Sequence, residues 1–362
     1  MKIGLVRRGY SPTGGAEAYL LRLAGALAAS GHTPVLITAA EWPADRWISG
    51  NIVRLDAGTP SEFAAAFRDA ATGCDIHLSL ERVPGCEVFR AGDGVHASWL
   101  ERRARFEPAW KRATRWLNGK HRQILDLERE VFDPARTRAV IANSQLVRNE
   151  ILGRFHFPPE RVHVVYNGLT PEPPADRNEA RNAYGIPADA FCALFVGTGW
   201  ERKGLEIAVR AVEKAGKTIL LVAGRGPADQ FASPAARFLG PVDGLAGLYA
   251  AADLFVLPTW YDPFSNACLE ALAAGLPVLT TPANGFSEII RPGVHGDTVP
   301  EGDADALARA INGWRGRCAA ARGVCRTLAA EFPIERNAAG TLAVLAAAAG
   351  TGASIFSDLQ TA

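Results

Sequence analysis

The stretch Phe195-Val196-Gly197-Thr198-Gly199-Trp200-Glu201-Arg202-Lys203-Gly204 decides the fold. An apolar run ends in small residues, and two adjacent cations stand where a helix is expected to begin. This is the strand–turn–helix order of a parallel α/β unit, with its turn at the carboxyl end of the strand, where such sheets take their ligands. Cations at a helix start oppose the helix dipole, so local helix stability does not account for them. They suit a phosphate, because Arg offers a planar fork and Lys a compact charge. The competing reading is an exposed, solvated pair at the surface.

Working outward, the same alternation continues on both sides. Downstream, strands are expected at 192–196, 218–222, 254–257 and 278–280, and helices near 205–214, 245–252, 265–274 and 304–314. Upstream, strands are expected at 2–6, 34–38, 52–55, 76–80, 87–90, 139–142 and 162–166. The first is followed by a glycine-bearing turn from Gly9 to Gly15. A helix comes next, with Leu20, Leu23, Ala24 and Leu27 at helical spacing, and Gly31 stops it. The segment 169–177, with Pro171, Pro173 and Pro174, reads as a linker between the two series. The fold expected is α/β, two Rossmann-like doubly wound domains facing across a cleft, with boundaries at 1–168 and 169–333.

A second region is Tyr261-Asp262-Pro263-Phe264-Ser265-Asn266-Ala267-Cys268-Leu269-Glu270-Ala271-Leu272-Ala273-Ala274-Gly275-Leu276-Pro277-Val278. A loop carrying Asp262 enters a helix that Gly275 ends, and the free amides of the first turn form an anion site. Glu270 lies among apolar neighbours, where a carboxylate is seldom left without partners. It suits the hydroxyls of a ribose; a structural salt bridge is the alternative.

Composition narrows the class. The chain has 362 residues, 48% of them hydrophobic, and a net charge of +1, which gives no global argument for nucleic acid. The apolar stretch after Met1 is too short for a signal peptide, and no run approaches the ~18 residues of a membrane span. Cys74, Cys86, Cys192, Cys268, Cys318 and Cys325 form no C-x-x-C pair and read as reduced thiols of a cytoplasmic protein. The histidines show no metal-ligand spacing. Gly224-Arg225-Gly226 is a fragment of a phosphate loop whose turn can approach a nucleotide closely. Asp93-Gly94-Val95-His96 sets a carboxylate and an imidazole three residues apart after a glycine, a spacing that can converge on a reacting hydroxyl. A structural histidine is the alternative.

Arg202-Lys203-Gly204, and an acid followed eight residues later by Glu270 in L-E-A-L-A-A-G-L-P-V, resemble the donor-site motifs of family 4 glycosyltransferases. Gly14-Gly15-Ala16-Glu17 matches that family's first glycine loop. Pro84-Gly85-Cys86-Glu87-Val88-Phe89-Arg90-Ala91-Gly92-Asp93 is similar to a segment of the bacterial enzymes that add the first glucose to inner-core heptose of lipopolysaccharide. The family usually has Glu where Asp262 stands here.

The resemblance implies a GT-B fold and a retaining transfer of a hexose, glucose by the narrower match, from a nucleotide diphosphate sugar, UDP-glucose by that match. The acceptor it implies is a saccharide or glycolipid such as lipopolysaccharide inner-core heptose. It implies a donor site of Gly14, Gly15, Gly197, Arg202, Lys203, Asp262, Phe264, Ser265, Asn266, Ala267 and Glu270. Asp93 and His96 join Arg202 and Lys203 as the catalytic set. No metal and no cofactor are expected. The Asp303-Ala304-Asp305 triplet is only superficially the metal-binding motif of another glycosyltransferase fold, and Asp303 reads as a helix cap. A last helix within 334–362 is implied to cross back to the first domain, with a tail behind it.

Two other functions share the architecture. A non-hydrolysing nucleotide-sugar epimerase would need acid and base groups on both faces of one sugar, and Asp93 and His96 are the only such set. A non-catalytic GT-B scaffold would have no need to keep Arg202, Lys203 and Glu270. Finally, the segment 99–122 holds Arg102, Arg103, Arg105, Lys111, Arg112, Arg115, Lys120 and Arg122 against Glu101 and Glu107, eight minus two or +6. Trp99, Phe106, Trp110 and Trp116 are interleaved. Such a segment suits an anionic membrane surface, making the chain peripheral at the inner face of the cytoplasmic membrane; a solvated helix with inward aromatics is the alternative.

Overall fold

The computed structural model describes residues 1–11, 14–43, 46–47, 49–107, 119–170 and 172–350. The chain divides into two units, Met1–Gly168 joined by the segment from Ile334 on, and Leu169–Pro333.

The first unit carries a parallel sheet of order β3-β2-β1-β4-β5-β6-β7. Its strands are β1 Lys2–Val6, β2 Thr33–Thr38, β3 Ile52–Arg54, β4 Ile76–Ser79, β5 Val88–Ala91, β6 Ala139–Ala142 and β7 Val162–Val164. The central strands are apolar without alternation because both faces of a parallel sheet are covered; all of β5 and β6 is buried. The described helices are α1 Gly15–Ala29, α2 Pro60–Asp69, α3 His96–Arg103, α4 Gly119–Val131 and α5 Gln145–Phe155. Helix α1 buries Leu20, Leu23, Ala24 and Leu27, the stripe its spacing predicts. It ends as expected at Gly31 (φ 79°), where His32 N–H reaches back to the Leu27 carbonyl at 3.1 Å.

The second unit carries a parallel sheet of order β10-β9-β8-β11-β12-β13. Its strands are β8 Phe191–Val196, β9 Thr218–Ala223, β10 Ala236–Gly240, β11 Leu254–Val256, β12 Val278–Thr280 and β13 Gly296–Thr298. Its helices are α6 Arg177–Ala183, α7 Trp200–Lys203, α8 Leu205–Ala215, α9 Ala246–Ala251, α10 Asn266–Ala273, α11 Ala304–Trp314 and α12 Cys318–Ala329.

The last helix, α13 Ile334–Ala349, packs in the first unit. Its face of Ile334, Asn337, Ala338, Thr341, Val344 and Leu345 is buried, and its neighbours include α1 and strands β4 to β6. The Tyr19 hydroxyl donates to Asn337 Oδ1 at 2.8 Å, and Asn337 Nδ2 donates to the Tyr166 carbonyl at 2.6 Å.

Two expectations are corrected. The linker does not run to residue 177: Asp176 caps α6, and Arg177 is helical, ion-paired with Asp253 at 2.5 Å. The interior of that segment includes Pro171, which lies outside the described residues. The two edge strands β10 and β13 carry too few apolar residues in sequence to announce themselves: β10 reads Ala-Arg-Phe-Leu-Gly and β13 Gly-Asp-Thr.

Candidate functional site

In the second unit the site is built from the turn after β8. Gly199 and Gly204, both at left-handed φ (70° and 74°), bracket the single helical turn α7. A Cβ on Gly204 would lie 2.0 Å from the Pro258 carbonyl oxygen, so only glycine lets these backbones meet. Trp200 is buried against Phe231 and Phe238, and its indole N–H donates to the Gly197 carbonyl at 2.9 Å. The Gly224 turn serves this loop as well: a Cβ there would stand 1.9 Å from the Gly197 oxygen. That glycine turn therefore packs on protein backbone. Arg202 and Lys203 close α7 and precede α8, so they do not open a helix as expected.

The adjacent cations have different surroundings. The Arg202 carbonyl accepts from Trp260 N–H at 2.9 Å and from the Thr259 hydroxyl at 2.9 Å, which fixes the backbone. Among the described residues the Arg202 guanidinium has no hydrogen bond or ion pair, and it is half-buried. Lys203 instead forms an ion pair with Asp262, with side chains only 13% and 7% exposed. The competing reading of an exposed, solvated pair therefore does not hold for Lys203. The reason is packing: its methylenes run along Gly197, with Cε 3.6 Å from where a Cβ would be.

Asp262 is held in turn. Its N–H donates to the Ala283 carbonyl and its carbonyl accepts from Gly285 N–H, each at 2.9 Å. Ser265 caps α10, and its own N–H donates to Asn284 Oδ1 at 3.2 Å. Phe264 is buried against Phe286 (5.9 Å between centroids); Asn266 and Ala267 form the half-buried first turn of α10. Glu270 follows one turn later, half-buried, and Tyr249 of α9 donates to its Oε2 at 3.1 Å. The structure thus brings Gly197, Arg202, Lys203, Asp262, Phe264, Ser265, Asn266, Ala267 and Glu270 into one unit. Sequence reading missed Trp200, Tyr249 and Asn284, which act through tertiary contacts.

The first unit holds the other named residues. Gly14 caps α1 and Gly15 begins it. A Cβ on Gly14 would meet the Glu17 carboxylate at 1.8 Å, while one on Gly15 would meet nothing within 4 Å. Glu17 is buried and pairs with Arg7 at 2.8 Å. Asp93 is exposed on the turn after β5, with no hydrogen bond or ion pair among the described residues. Its charge acts on Glu81, whose carboxyl is raised above the usual range mainly by burial.

His96 points elsewhere, so the expected convergence with Asp93 is corrected. The buried Glu128 caps α3, accepting from His96 N–H at 2.6 Å and Ala97 N–H at 3.0 Å, and pairs with Arg82 at 2.9 Å. This sets the His96 ring against His121, Nε2 to Nδ1 at 3.0 Å. Burial first, then the nearby Arg82, His121 and Arg103 charges, lowers His96 to about 4, so it is neutral at pH 7.

Other readings resolve simply. Asp303 caps α11 through Ala306 N–H at 2.8 Å, as expected, and Asp305 pairs with Lys214 at 2.5 Å. Among the described residues no group of three or more His, Cys, Asp or Glu is arranged to hold a metal ion. All six cysteines are free thiols. No described helix is long and apolar enough to cross a membrane.

Of the basic segment, Trp110, Lys111, Arg112, Arg115 and Trp116 lie outside the described residues. Arg102 pairs with Glu150 at 3.4 Å and Arg103 with Glu107 at 2.5 Å, while Trp99 packs on Phe106 with centroids 6.3 Å apart. Arg105 and Arg122 are exposed with no side-chain partner among the described residues.

Comparison with known proteins follows the two units. Residues 190–314 match the family model "Glycosyl transferases group 1", and residues 90–172 match "Glycosyltransferase Family 4". An uncharacterized glycosyltransferase of Methanocaldococcus jannaschii is 32% identical over 199 residues, 48% of this chain and 51% of that protein. A D-inositol 3-phosphate glycosyltransferase of Mycobacterium avium is 32% identical over 223 residues, 56% of this chain and 52% of that protein. The chain spans about half the length of the curated relatives it matches.

The fold is that of WaaG, a glycosyltransferase involved in lipopolysaccharide biosynthesis, with TM-score 0.74, 21% identity and coverage of 97% of this chain and 100% of that one. It is equally similar to Anabaena HepE in complex with UDP-glucose, with TM-score 0.74, 20% identity and coverage of 94% and 99%. The resemblance to family 4 glycosyltransferases and the GT-B fold are both borne out.

Two outcomes follow from the geometry. Lys203→Ala leaves the buried Asp262 carboxylate unpaired and should cost about 3 kcal/mol of stability in denaturant unfolding. Lys203→Ala with Asp262→Ala should cost clearly less than the sum of the single changes; strict additivity would mean the pair does not couple. For His96 the folded pKa lies below the unfolded value of 6.5, so the unfolded chain binds more protons in between. His96 therefore makes stability fall as pH drops from about 6.5 to 4. Melting curves across that window should be flatter for His96→Asn than for the unmodified chain.

Proposed function

We propose that this chain, whose units carry family 4 and group 1 glycosyltransferase segments, is a retaining hexosyltransferase. In this reading the unit Leu169–Pro333 binds a nucleotide diphosphate sugar, UDP-glucose as first choice. The unit that contains Asp93 binds a saccharide or glycolipid acceptor such as lipopolysaccharide inner-core heptose. The observation that carries the reading is the cluster after β8: an Arg202 with no side-chain partner among the described residues beside Lys203, with Asp262 and the α10 first turn arranged behind them. Solved UDP and UDP-glucose complexes of the similarly folded HepE support the choice of donor.

The acceptor oxygen forms a bond to the anomeric carbon as the bond from that carbon to the diphosphate oxygen breaks. Charge grows on the leaving diphosphate, and Arg202, Lys203 and the α10 amides stabilise it. Glu270 holds the ribose hydroxyls. Asp93 orients the attacking hydroxyl, whose proton passes to the departing diphosphate. Because the two cations supply the positive charge, the chemistry is proposed to proceed without a resident metal or cofactor. A nucleotide-sugar epimerase would need an acid–base pair across one sugar, and His96 is neutral and turned to His121.

Incubation with a panel of nucleotide sugars, with and without glycolipid acceptor, should release nucleoside diphosphate only when acceptor is present. Epimerised donor without release would replace the reading. Arg202→Ala is the discriminating variant, because its guanidinium has no partner among the described residues to strand. It should lower turnover about a hundredfold, the scale of one lost transition-state donor, at unchanged melting temperature.

We also propose that the 99–122 segment meets an anionic membrane face, with Arg105, Lys120 and Arg122 as its exposed described cations. Each cation near such a surface contributes about 1 kcal/mol, screened by salt. Vesicle co-sedimentation should require anionic lipid, weaken with salt, and weaken in Arg105→Glu with Arg122→Glu. Equal binding to neutral vesicles, or none to either, would make the segment ordinary surface.

A further inference from the structure

Helix α9 turns Tyr249 towards α10, and the phenol is buried to 4% exposure, its ring centroid 6.1 Å from that of Phe255. Its hydroxyl reaches two acceptors, Glu270 Oε2 at 3.1 Å and the Ala267 carbonyl at 3.3 Å. One proton cannot serve both equally, and the nearer, charged acceptor takes it. Burial, reinforced by the Glu270 charge beside it, pushes the phenol well above its ordinary value, so it remains a donor at every working pH.

Cys268, Leu269, Ala271 and Leu272 of α10 are buried, while Glu270 is half-buried. A glutamate in that position has rotamer freedom to lose on meeting a ligand. A hydrogen bond to one carboxylate oxygen removes that freedom beforehand. A carboxylate offers about four lone-pair sites on two oxygens, so accepting from Tyr249 does not exhaust its capacity for ligand hydroxyls.

We propose that Tyr249 is a positioning residue for donor binding: its hydroxyl fixes the Glu270 carboxylate in the one orientation that accepts from a ribose diol, and so sets the preference for ribonucleotides over deoxyribonucleotides. The proposal rests on the assignment of Glu270 to the ribose. It extends that assignment from a contact residue to the buried group that aims it.

Calorimetric titration of UDP, ADP and GDP into the full chain identifies the tightest nucleoside diphosphate, which is then compared with its 2′-deoxy form. The proteins are the unmodified chain, Tyr249→Phe, Glu270→Ala and the double variant. Tyr249→Phe keeps the ring and its packing, and its melting temperature serves as the check on folding. It should bind the ribonucleotide about tenfold more weakly, the scale of one hydrogen bond to a charged group, and bind the deoxy form with little change. In the Glu270→Ala background, removing the hydroxyl should change neither affinity.

A purely packing role predicts equal losses for both nucleotides, and a further loss in the Glu270→Ala background; either result overturns the proposal. Unchanged affinity in Tyr249→Phe, with Glu270→Ala still impaired, overturns it while leaving the ribose assignment standing. Full affinity and full ribose preference in Glu270→Ala overturn both.

Discussion

The second unit's site depends on one steric constraint, the approach of Gly204 to the Pro258 carbonyl, where a Cβ would intrude to 2.0 Å. That approach puts the end of α7 within reach of the loop after β11, so Thr259 and Trp260 can donate to the Arg202 carbonyl. With the Arg202 backbone tied down, the next residue is directed inward along Gly197 to Asp262. Asp262 is tied through its own backbone to Ala283 and Gly285, and Asn284 between them holds Ser265, the cap of α10. The chain of contacts therefore runs from one missing side chain to the helix that bears Glu270. After the initial close approach, the links between distant segments are hydrogen bonds and one ion pair, with the Lys203 methylenes packed along Gly197.

The first unit solves a similar positioning problem with charge. Glu128 on α4 is almost wholly buried, and a carboxylate there requires partners on every side. Arg82 supplies one, and the first turn of α3 supplies two backbone donors that would otherwise have none. One residue thereby neutralises a half-buried cation and starts a helix. It also holds the backbone of His96, whose ring meets His121.

How far the sequence could be read follows from where each signal resides. The buried strands of a parallel sheet are continuous apolar runs, so β1, β6, β8 and β12 are legible; the polar edge strands β10 and β13 are not. The Asp303 cap and the Gly31 stop are local and were legible for that reason. Arg202, Lys203, Asp262 and Glu270 stand out as charges among small and apolar residues. Their partnerships do not: Lys203 with Asp262 spans 59 positions, Tyr249 with Glu270 spans 21, and His96 with Glu128 spans 32. No spacing rule reaches that far, which is why the sequence singled out the charged residues of the candidate site but left open which of them pair with one another.

That last distinction bears on how the cluster would act as the donor site proposed above. Counting Arg202 and Lys203 as +2 and Asp262 as −1 leaves one net positive charge for an arriving diphosphate. On the donor-site reading, Arg202 and the amides of α10 provide the initial attraction. Lys203 is held in reserve by a carboxylate that is itself buried. As negative charge grows on the leaving group, Lys203 is attracted by two anions rather than one, and its interaction with the diphosphate strengthens along the reaction. An interaction that grows towards the transition state accelerates turnover, whereas one already complete with bound substrate only tightens binding. On that reading, pairing Lys203 with Asp262 shifts part of the lysine's effect from binding to catalysis, while Arg202, without a side-chain partner among the described residues, contributes to both.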